Sequence, residues 1–261
     1  HAGITCTVCH AITHVNSTKG NADYTIEEPV HYPFSKSDNS ILKFINRQMV
    51  KAKPEFHKKT FLKELHKTPE FCSTCHKVSL PFELNHYKEW LRGQNHYDNY
   101  HLSGVSGHGV RSFYYPPKAV GDCNQCHMPL KDSNDFGADF FSGKDNGLQV
   151  HDHLFHGANT AIAHIRNKPD IVKAHQDFLK DSVVVEIFGI KEEGKVDGKL
   201  IAPIRPKIPS LKSGKEYLLE VVVRTMKVGH LFSQGTVDSN EIWLDVELEN
   251  SGKTIGRSGG L

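Results

Sequence analysis

The apolar residues between positions 37 and 91 recur at the spacing of α-helices. A first helix is predicted to begin near Ser37-Asp38, where short polar side chains can cap its amide groups, and to end before Pro54. Pro54 lacks the amide hydrogen that a helix interior needs, yet it suits the first turn of a second helix. The apolar positions are Ile41, Ile45, Met49 and Ala52 in the first helix and Phe61, Leu62 and Leu65 in the second.

Two shorter patterns predict further helices. One follows Pro81 and is expected to stop at Gly93, and the other runs from Pro169 to about Leu179. The first of these has its apolar face formed by Leu84, Tyr87, Trp90 and Leu91. Residues 11–36 and 94–117 have no such period and are rich in residues that favour turns, so we expect loops there.

Beyond residue 180 the pattern changes to that of β-strands. Three runs rich in β-branched and aromatic residues lie at positions 182–188, 217–224 and 241–248. The last run alternates strictly, which predicts that Ile242, Leu244, Val246 and Leu248 share one face, either buried or held against a partner. We therefore predict an α+β protein, with a mostly helical and irregular domain over residues 1–180 and an all-β, sandwich-like domain over residues 181–261.

All six cysteines belong to three copies of the motif Cys-x-x-Cys-His. This pattern attaches haem c covalently, because its two thiols add to the porphyrin vinyl groups and the adjacent histidine binds the iron. We therefore predict three haem c groups that pack the first domain. The predicted cofactor-binding residues are Cys6, Cys9, Cys72, Cys75, Cys123 and Cys126, and the predicted proximal iron ligands are His10, His76 and His127.

A single Cys-x-x-Cys pair has other readings, namely a zinc knuckle, a redox-active dithiol or a disulfide. Zinc requires four ligands at each site and gives no reason for a histidine to follow the second cysteine every time. A dithiol enzyme needs one such pair rather than three. The threefold repetition of the complete motif therefore favours haem.

The second axial ligand of each iron is predicted to be histidine rather than methionine. Met49 lies in a predicted helix, Met128 adjoins the proximal ligand His127, and Met226 lies among the β-strands. Fifteen of the eighteen histidines lie outside the motifs, so histidine is the more available ligand. The candidate distal ligands are His14, His66, His96 and His153, with His175 a weaker one that is as easily a core residue.

Composition and charge narrow the class of partner. The net charge is +2, from 32 basic and 30 acidic residues, and neither a basic patch for nucleic acid nor an acidic tail is present. No apolar run approaches the roughly 18 residues that span a bilayer, so we predict no transmembrane segment. Covalent haem attachment of this kind implies export, which predicts a periplasmic or extracellular location, although no signal peptide is seen. We expect the native chain to continue beyond both ends.

Several phrases around these motifs resemble the multihaem c-type cytochromes that include the tetrahaem cytochromes of nitrifying bacteria and the octahaem hydroxylamine-oxidoreductase-like proteins. The phrases are Gly3-Ile4-Thr5 before the first motif, Phe71 before the second, Cys126-His127-Met128-Pro129, Trp90 followed by His96, and His153-Leu154-Phe155-His156-Gly157. Residues 229–235, with Trp243-Leu244-Asp245-Val246 and Ser258-Gly259, resemble a sandwich domain often appended to such cytochromes. The resemblance implies closely spaced haems with two histidine ligands each. The spacing of about 60 residues per haem is looser than is usual in that group.

Three hypotheses about function follow. The first is an electron carrier that passes electrons through closely packed haems to redox partner proteins or further cytochrome subunits. The second is an oxidoreductase that acts on a small nitrogen or sulfur compound at an iron without a distal protein ligand. None of the motifs ends in the lysine that marks the catalytic haem of one nitrite-reductase family. The third, compatible with the first, is a building block of a homo-oligomer, filament or complex, with the β domain as its contact surface. His14 and His66 are the best placed to ligate haems of another segment or copy. The alternative is that the extra imidazoles are solvated or hydrogen-bonded to haem propionates.

Overall fold

The computed structural model describes residues 4–86, 92–110, 117–232 and 240–259. Helices make up 31% and strands 22% of the structure, so the predicted α+β class is confirmed at this general level. The apolar positions Tyr87, Trp90 and Leu91 of the predicted helix after Pro81 lie outside the described residues.

The helices of the described residues are short. They are α1 Cys6–Ala11, α2 Ser40–Ala52, α3 Pro54–Phe61, α4 Pro69–His76, α5 Phe82–Asn85, α6 His96–Leu102, α7 Asn124–His127, α8 Thr160–Ile165 and α9 Pro169–Leu179. The proline-based predictions are confirmed, since Pro54 opens α3 and Pro169 opens α9. The cap of α2 is Asn39 rather than Ser37-Asp38, and its Oδ1 accepts from the amide of Ile41 at 2.9 Å. None of the described helices is long and apolar enough to cross a membrane.

The described strands pair antiparallel in small sheets. They are β1 Ile12–Val15, β2 Tyr24–Ile26, β3 Lys77–Ser79, β4 Arg92–Asn95, β5 Leu130–Asp132, β6 Gln149–His151, β7 Val183–Glu192, β8 Leu200–Ile201, β9 Tyr217–Thr225, β10 Val246–Asn250 and β11 Lys253–Ser258. Strand β7 lies between β8 and β9, and the others form the hairpins β1-β2, β3-β4, β5-β6 and β10-β11. The predicted sandwich stays a prediction, because residues 181–259 are described as one three-stranded sheet and one hairpin.

Several local predictions were wrong. Residues 94–117 are not all loop, because β4 ends at Asn95 and α6 follows it. The second predicted helix is shorter than expected, since α3 ends at Phe61 and Leu62 and Leu65 lie beyond it. Residues 11–36 are not all loop, because Ile12 and Val15 pair with Ile26 and Tyr24 in a hairpin.

Gly93 lies in β4 rather than at a helix end. Strand β4 pairs with β3, the strand that directly follows the second motif. The run 241–248 forms a strand only from residue 246, because among the described residues its pairing with β11 begins at Val246, opposite Ser258.

The polypeptide itself supplies little core. The buried hydrophobic residues in the described part of the chain are Ala11, Ile12, Val50, Tyr100, Ala138, Ala163 and Ile190. The accessible surface of the chain is 18970 Å², whereas a compact protein of 29.3 kDa exposes about 11,500 Å². Large apolar side chains such as Phe44, Leu84 and Ile242 are more than half exposed. The chain therefore leaves much apolar surface for something other than its own side chains to cover.

Helix α4, which carries the second motif, is fixed from two sides. On one side the turn of the β1-β2 hairpin docks on it, with the Ala22 amide donating to the Thr74 carbonyl at 2.7 Å. On the other side α6 packs against it, because Tyr97 donates to Glu70 at 2.9 Å. The half-buried helix α6 is thereby placed with its first residue next to the end of α4.

Candidate haem-binding centre

Each Cys-x-x-Cys-His motif forms a short helix. The first motif occupies α1, the second ends α4, and the third begins at Cys123 and continues through α7. In the second, Pro69 opens the helix and Thr68 Oγ1 accepts from the Phe71 amide at 3.4 Å. In a helix, residues three and four apart lie on one side, so each motif presents two thiols and an imidazole together.

The three motifs lie next to one another. The thiols of Cys72 and Cys123 interact, and this interaction, followed by burial, raises the pKa of the Cys72 thiol. Burial, followed by repulsion from Cys75, raises the pKa of the Cys9 thiol, which places the first motif beside the second. The Asn124 side chain also donates to the His66 carbonyl at 2.7 Å. Residues far apart in sequence thus converge on one centre.

The six thiols form no disulfide, and Cys6, Cys75 and Cys126 are exposed. In the part of the chain that the structure describes, no group of three or more His, Cys, Asp or Glu residues is arranged to hold a metal ion by itself.

The first motif histidine, His10, is oriented by a backbone carbonyl. Its Nδ1 donates to the carbonyl oxygen of Phe61 at 2.6 Å, which leaves Nε2 as the nitrogen with a free lone pair. The ring of His153 lies 6.2 Å from that of His10. Two imidazoles that bind one metal from opposite sides through bonds of about 2 Å have ring centroids about 6 Å apart. His153 therefore lies at the separation expected for a ligand pair.

His66 also contacts His10, but in a different way. The two ring centroids are 4.8 Å apart, closer than a pair of opposed ligands. The Nε2 of His66 donates to the Cys9 carbonyl at 3.3 Å, and its Nδ1 accepts from the Lys63 amide at 3.4 Å. Burial, and then the neighbouring His10, lower the pKa of His66 to about 4. His66 thus reaches a motif other than its own, but as a neutral side chain that is hydrogen-bonded through both nitrogens.

The second motif histidine, His76, lies beside His96. Their ring centroids are 5.3 Å apart, and the Gln94 side-chain amide lies 3.2 Å from Nδ1 of His76 and 3.3 Å from Nδ1 of His96. One amide therefore orients both rings. His96 begins α6, so the ion pair between Lys77 and Asp98, at 2.7 Å, anchors that helix to the residue after His76.

The third motif histidine, His127, is held in the same way as His10. Its Nδ1 donates to the carbonyl oxygen of His156 at 2.6 Å. Its ring lies 6.1 Å from that of His230, and the two planes are 11° from parallel. His230 also lies 5.1 Å from His96. Sequence reasoning missed this residue, which follows β9 in the C-terminal region.

The predicted distal candidates thus have different surroundings. His153 lies at the separation expected for a ligand opposite His10. His96 lies closer to its motif histidine, at 5.3 Å, and His66 closer still, at 4.8 Å. His14 is exposed on β1. His175 is 4% exposed, and its Nδ1 accepts from the Gly157 amide at 3.1 Å, which fits the reading of a core residue.

No protein-family model, curated protein or solved structure matches the chain. The site is therefore interpreted from its own donor set. Covalent haem requires paired thiols and an iron-binding imidazole at each motif, and a second imidazole can complete the iron. All three motifs carry these groups. Nδ1 is held by a backbone carbonyl in His10 and His127, whereas Nδ1 of His76 lies against the Gln94 side-chain amide. The residues present fit haem c.

Proposed function

We propose that the chain is a three-haem c-type cytochrome that carries electrons. The observation that supports this most strongly is the convergence of three Cys-x-x-Cys-His motifs, each with its histidine beside a second histidine. These pairs are His10 with His153, His76 with His96, and His127 with His230. Adjacent motifs would hold their haems at adjacent positions, which suits electron transfer between them.

When bound, haem iron supplies the one-electron chemistry. The chain would contribute two thioether bonds and one imidazole from each motif, and would set the orientation of each imidazole. A carbonyl that accepts from Nδ1 fixes the tautomer and makes Nε2 a better donor to a metal. The bonds from His10 to Phe61 and from His127 to His156 have this role in the proposal.

The large apolar surface is a second argument for haem. The described chain buries few hydrophobic side chains for its mass, and its surface of 18970 Å² far exceeds that of a compact protein. A porphyrin is a broad apolar plate that can pack against such side chains. We propose that residues 1–180 form a domain whose core is partly haem, and that residues 181–261 form a sandwich-like β domain.

The alternative function, an oxidoreductase acting on a small nitrogen or sulfur compound, requires an iron with an open coordination position. A second imidazole lies near every motif histidine in the described residues. This arrangement favours a carrier over a catalyst. We propose further that the protein belongs with the multihaem cytochromes it resembles, and that it acts in the periplasm or outside the cell with redox partner proteins or further cytochrome subunits.

We also propose that His14 binds an iron in another copy of the chain. If His153, His96 and His230 complete the three irons, the exposed His14 is free to reach an iron of another copy. Such ligation would join chains in an oligomer or filament. His66, hydrogen-bonded to Cys9 within its own chain, is less suited to that role.

The mass of the denatured chain tests the proposed function. We expect the polypeptide plus three haems, because thioether bonds survive denaturation. Alkylation should find no free thiol at Cys72 or Cys75 under the same conditions. A mass equal to the bare polypeptide, together with titratable thiols, would refute the proposal and leave zinc or a dithiol as the reading of the motifs.

A further inference from the structure

The C-terminal region reaches into the candidate haem-binding centre through a single turn. After β9 the Met226 amide donates to the Ser182 carbonyl at 2.9 Å, and the chain then returns towards α6. Gly229 packs so closely there that an added Cβ would lie 3.3 Å from both Tyr100 and Val105. Because a side chain would crowd these neighbours, the close approach at Gly229 sets the position of the next residue, His230.

The ring of His230 lies at the separation expected for an iron ligand opposite His127. Its centroid lies 6.1 Å from that of His127, against about 6 Å for two imidazoles that bind one metal from opposite sides through bonds of about 2 Å. Its Nδ1 donates to the Leu231 carbonyl at 3.0 Å, as the Nδ1 of His127 donates to that of His156. Both rings therefore keep Nε2 for a metal.

The neighbouring histidines have other partners. His96 contacts His230 at 5.1 Å, but the Gln94 amide links it to His76. The ring of His156 lies beside His175 and Phe178, at 6.2 and 5.8 Å. His230 is thus the imidazole best placed to face His127.

We infer that His230 is the second axial ligand of the iron held by the third motif, so that the C-terminal β region completes a haem attached to the first 180 residues. The inference rests on the proposed function. It gives the β region a role in the centre, although that region has no cysteine. It also predicts that the two regions are joined by a coordinate bond, since the ligands lie on either side of residue 180.

Replacing His230 by alanine in the full chain tests this assignment. We expect the denatured mass still to show three haems, while one of the three irons becomes high-spin by EPR and binds carbon monoxide when reduced. Added imidazole should restore the low-spin signal, because it can occupy the position that the side chain leaves. His164→Ala is the control, since His164 is an exposed histidine on α8; it should keep all three irons low-spin.

Three outcomes separate the possibilities. Three haems that all stay low-spin in His230→Ala would overturn the inference and leave the proposed function intact, whereas a wild-type chain without haem would overturn the proposed function.

In a Cys72→Ala, Cys75→Ala background, which removes the second haem, His230→Ala should still produce one high-spin iron. A fully low-spin result there would assign His230 to the second iron instead. If the alanine variant does not accumulate, His230→Met should raise the reduction potential of one haem, since a methionine ligand favours the reduced iron. Three unchanged potentials would again overturn the inference.

Discussion

Replacing His153 by alanine is expected to convert one of the three irons to the high-spin state, whereas replacing His66 should leave all three low-spin. Both histidines contact His10, but their geometry differs. The His153 ring lies 6.2 Å from that of His10, near the separation of two opposed ligands, and its Nδ1 donates to the His151 carbonyl at 2.8 Å. Loss of His153 should therefore leave the first iron with one protein ligand.

His66 is the matched control for this substitution, because it is a histidine at the same motif. Its ring lies 4.8 Å from His10, and its Nε2 donates to Cys9 instead of being free for a metal. Its replacement should cost about 2 kcal/mol of stability, since two hydrogen bonds are lost and each usually contributes about 1 kcal/mol. EPR of the two oxidised variants, each with three haems by mass, gives the comparison. A high-spin iron in His66→Ala but not in His153→Ala would reverse the assignment.

The second large effect is expected at Gly20, where an alanine should destabilise the docking of the β1-β2 hairpin on the second motif. Gly20 has a φ of +85°, and an added Cβ would lie 1.9 Å from the Lys77 carbonyl oxygen. That oxygen also accepts from the Asn21 amide at 3.1 Å. Because the position of Cβ is fixed by the Gly20 backbone and the atom it meets is a backbone carbonyl oxygen, the hairpin or the start of β3 must move. We expect a loss of about 3 kcal/mol or more in the free energy of unfolding, from overpacking and backbone strain.

Gly214 provides the control for the conformational part of this effect. It has a φ of +75° and nothing within 4 Å of an added Cβ. Gly214→Ala should therefore cost only the strain of a left-handed residue, about 1 kcal/mol. Denaturant unfolding of the two haem-loaded variants, followed by far-ultraviolet circular dichroism, measures the difference. Equal losses would mean that the hairpin does not dock on the second motif as described.

Much of the local structure follows from the sequence. Pro54 and Pro169 open helices because their fixed backbone suits a first turn, and the β-branched run after residue 182 forms β7. The strand predicted at 241–245 did not form, because alternation shows a suitable face but supplies no pairing partner. Gly93 was misread as a helix stop because pairing with β3, a tertiary effect, placed it in a strand.

The candidate centre, too, could be predicted from the sequence only in part. The motif residues are evident from spacing alone, because covalent attachment requires them close together in sequence. The residues that face them are set by the fold, so His96 and His153 were identified only as candidates. His230 was missed because it lies far along the chain, in a region without cysteine. The one local signal was a histidine after Gly229, in a turn directly following a strand.

The central claim is that histidine pairs inside this chain complete all three haems. EPR of the oxidised wild-type chain tests it most directly, when the high-spin and low-spin signals are each integrated against the total iron. The account predicts three low-spin irons per polypeptide and no carbon monoxide binding after reduction. The same result should hold at dilutions where the protein is monomeric. One or more high-spin irons per chain under those conditions would contradict it.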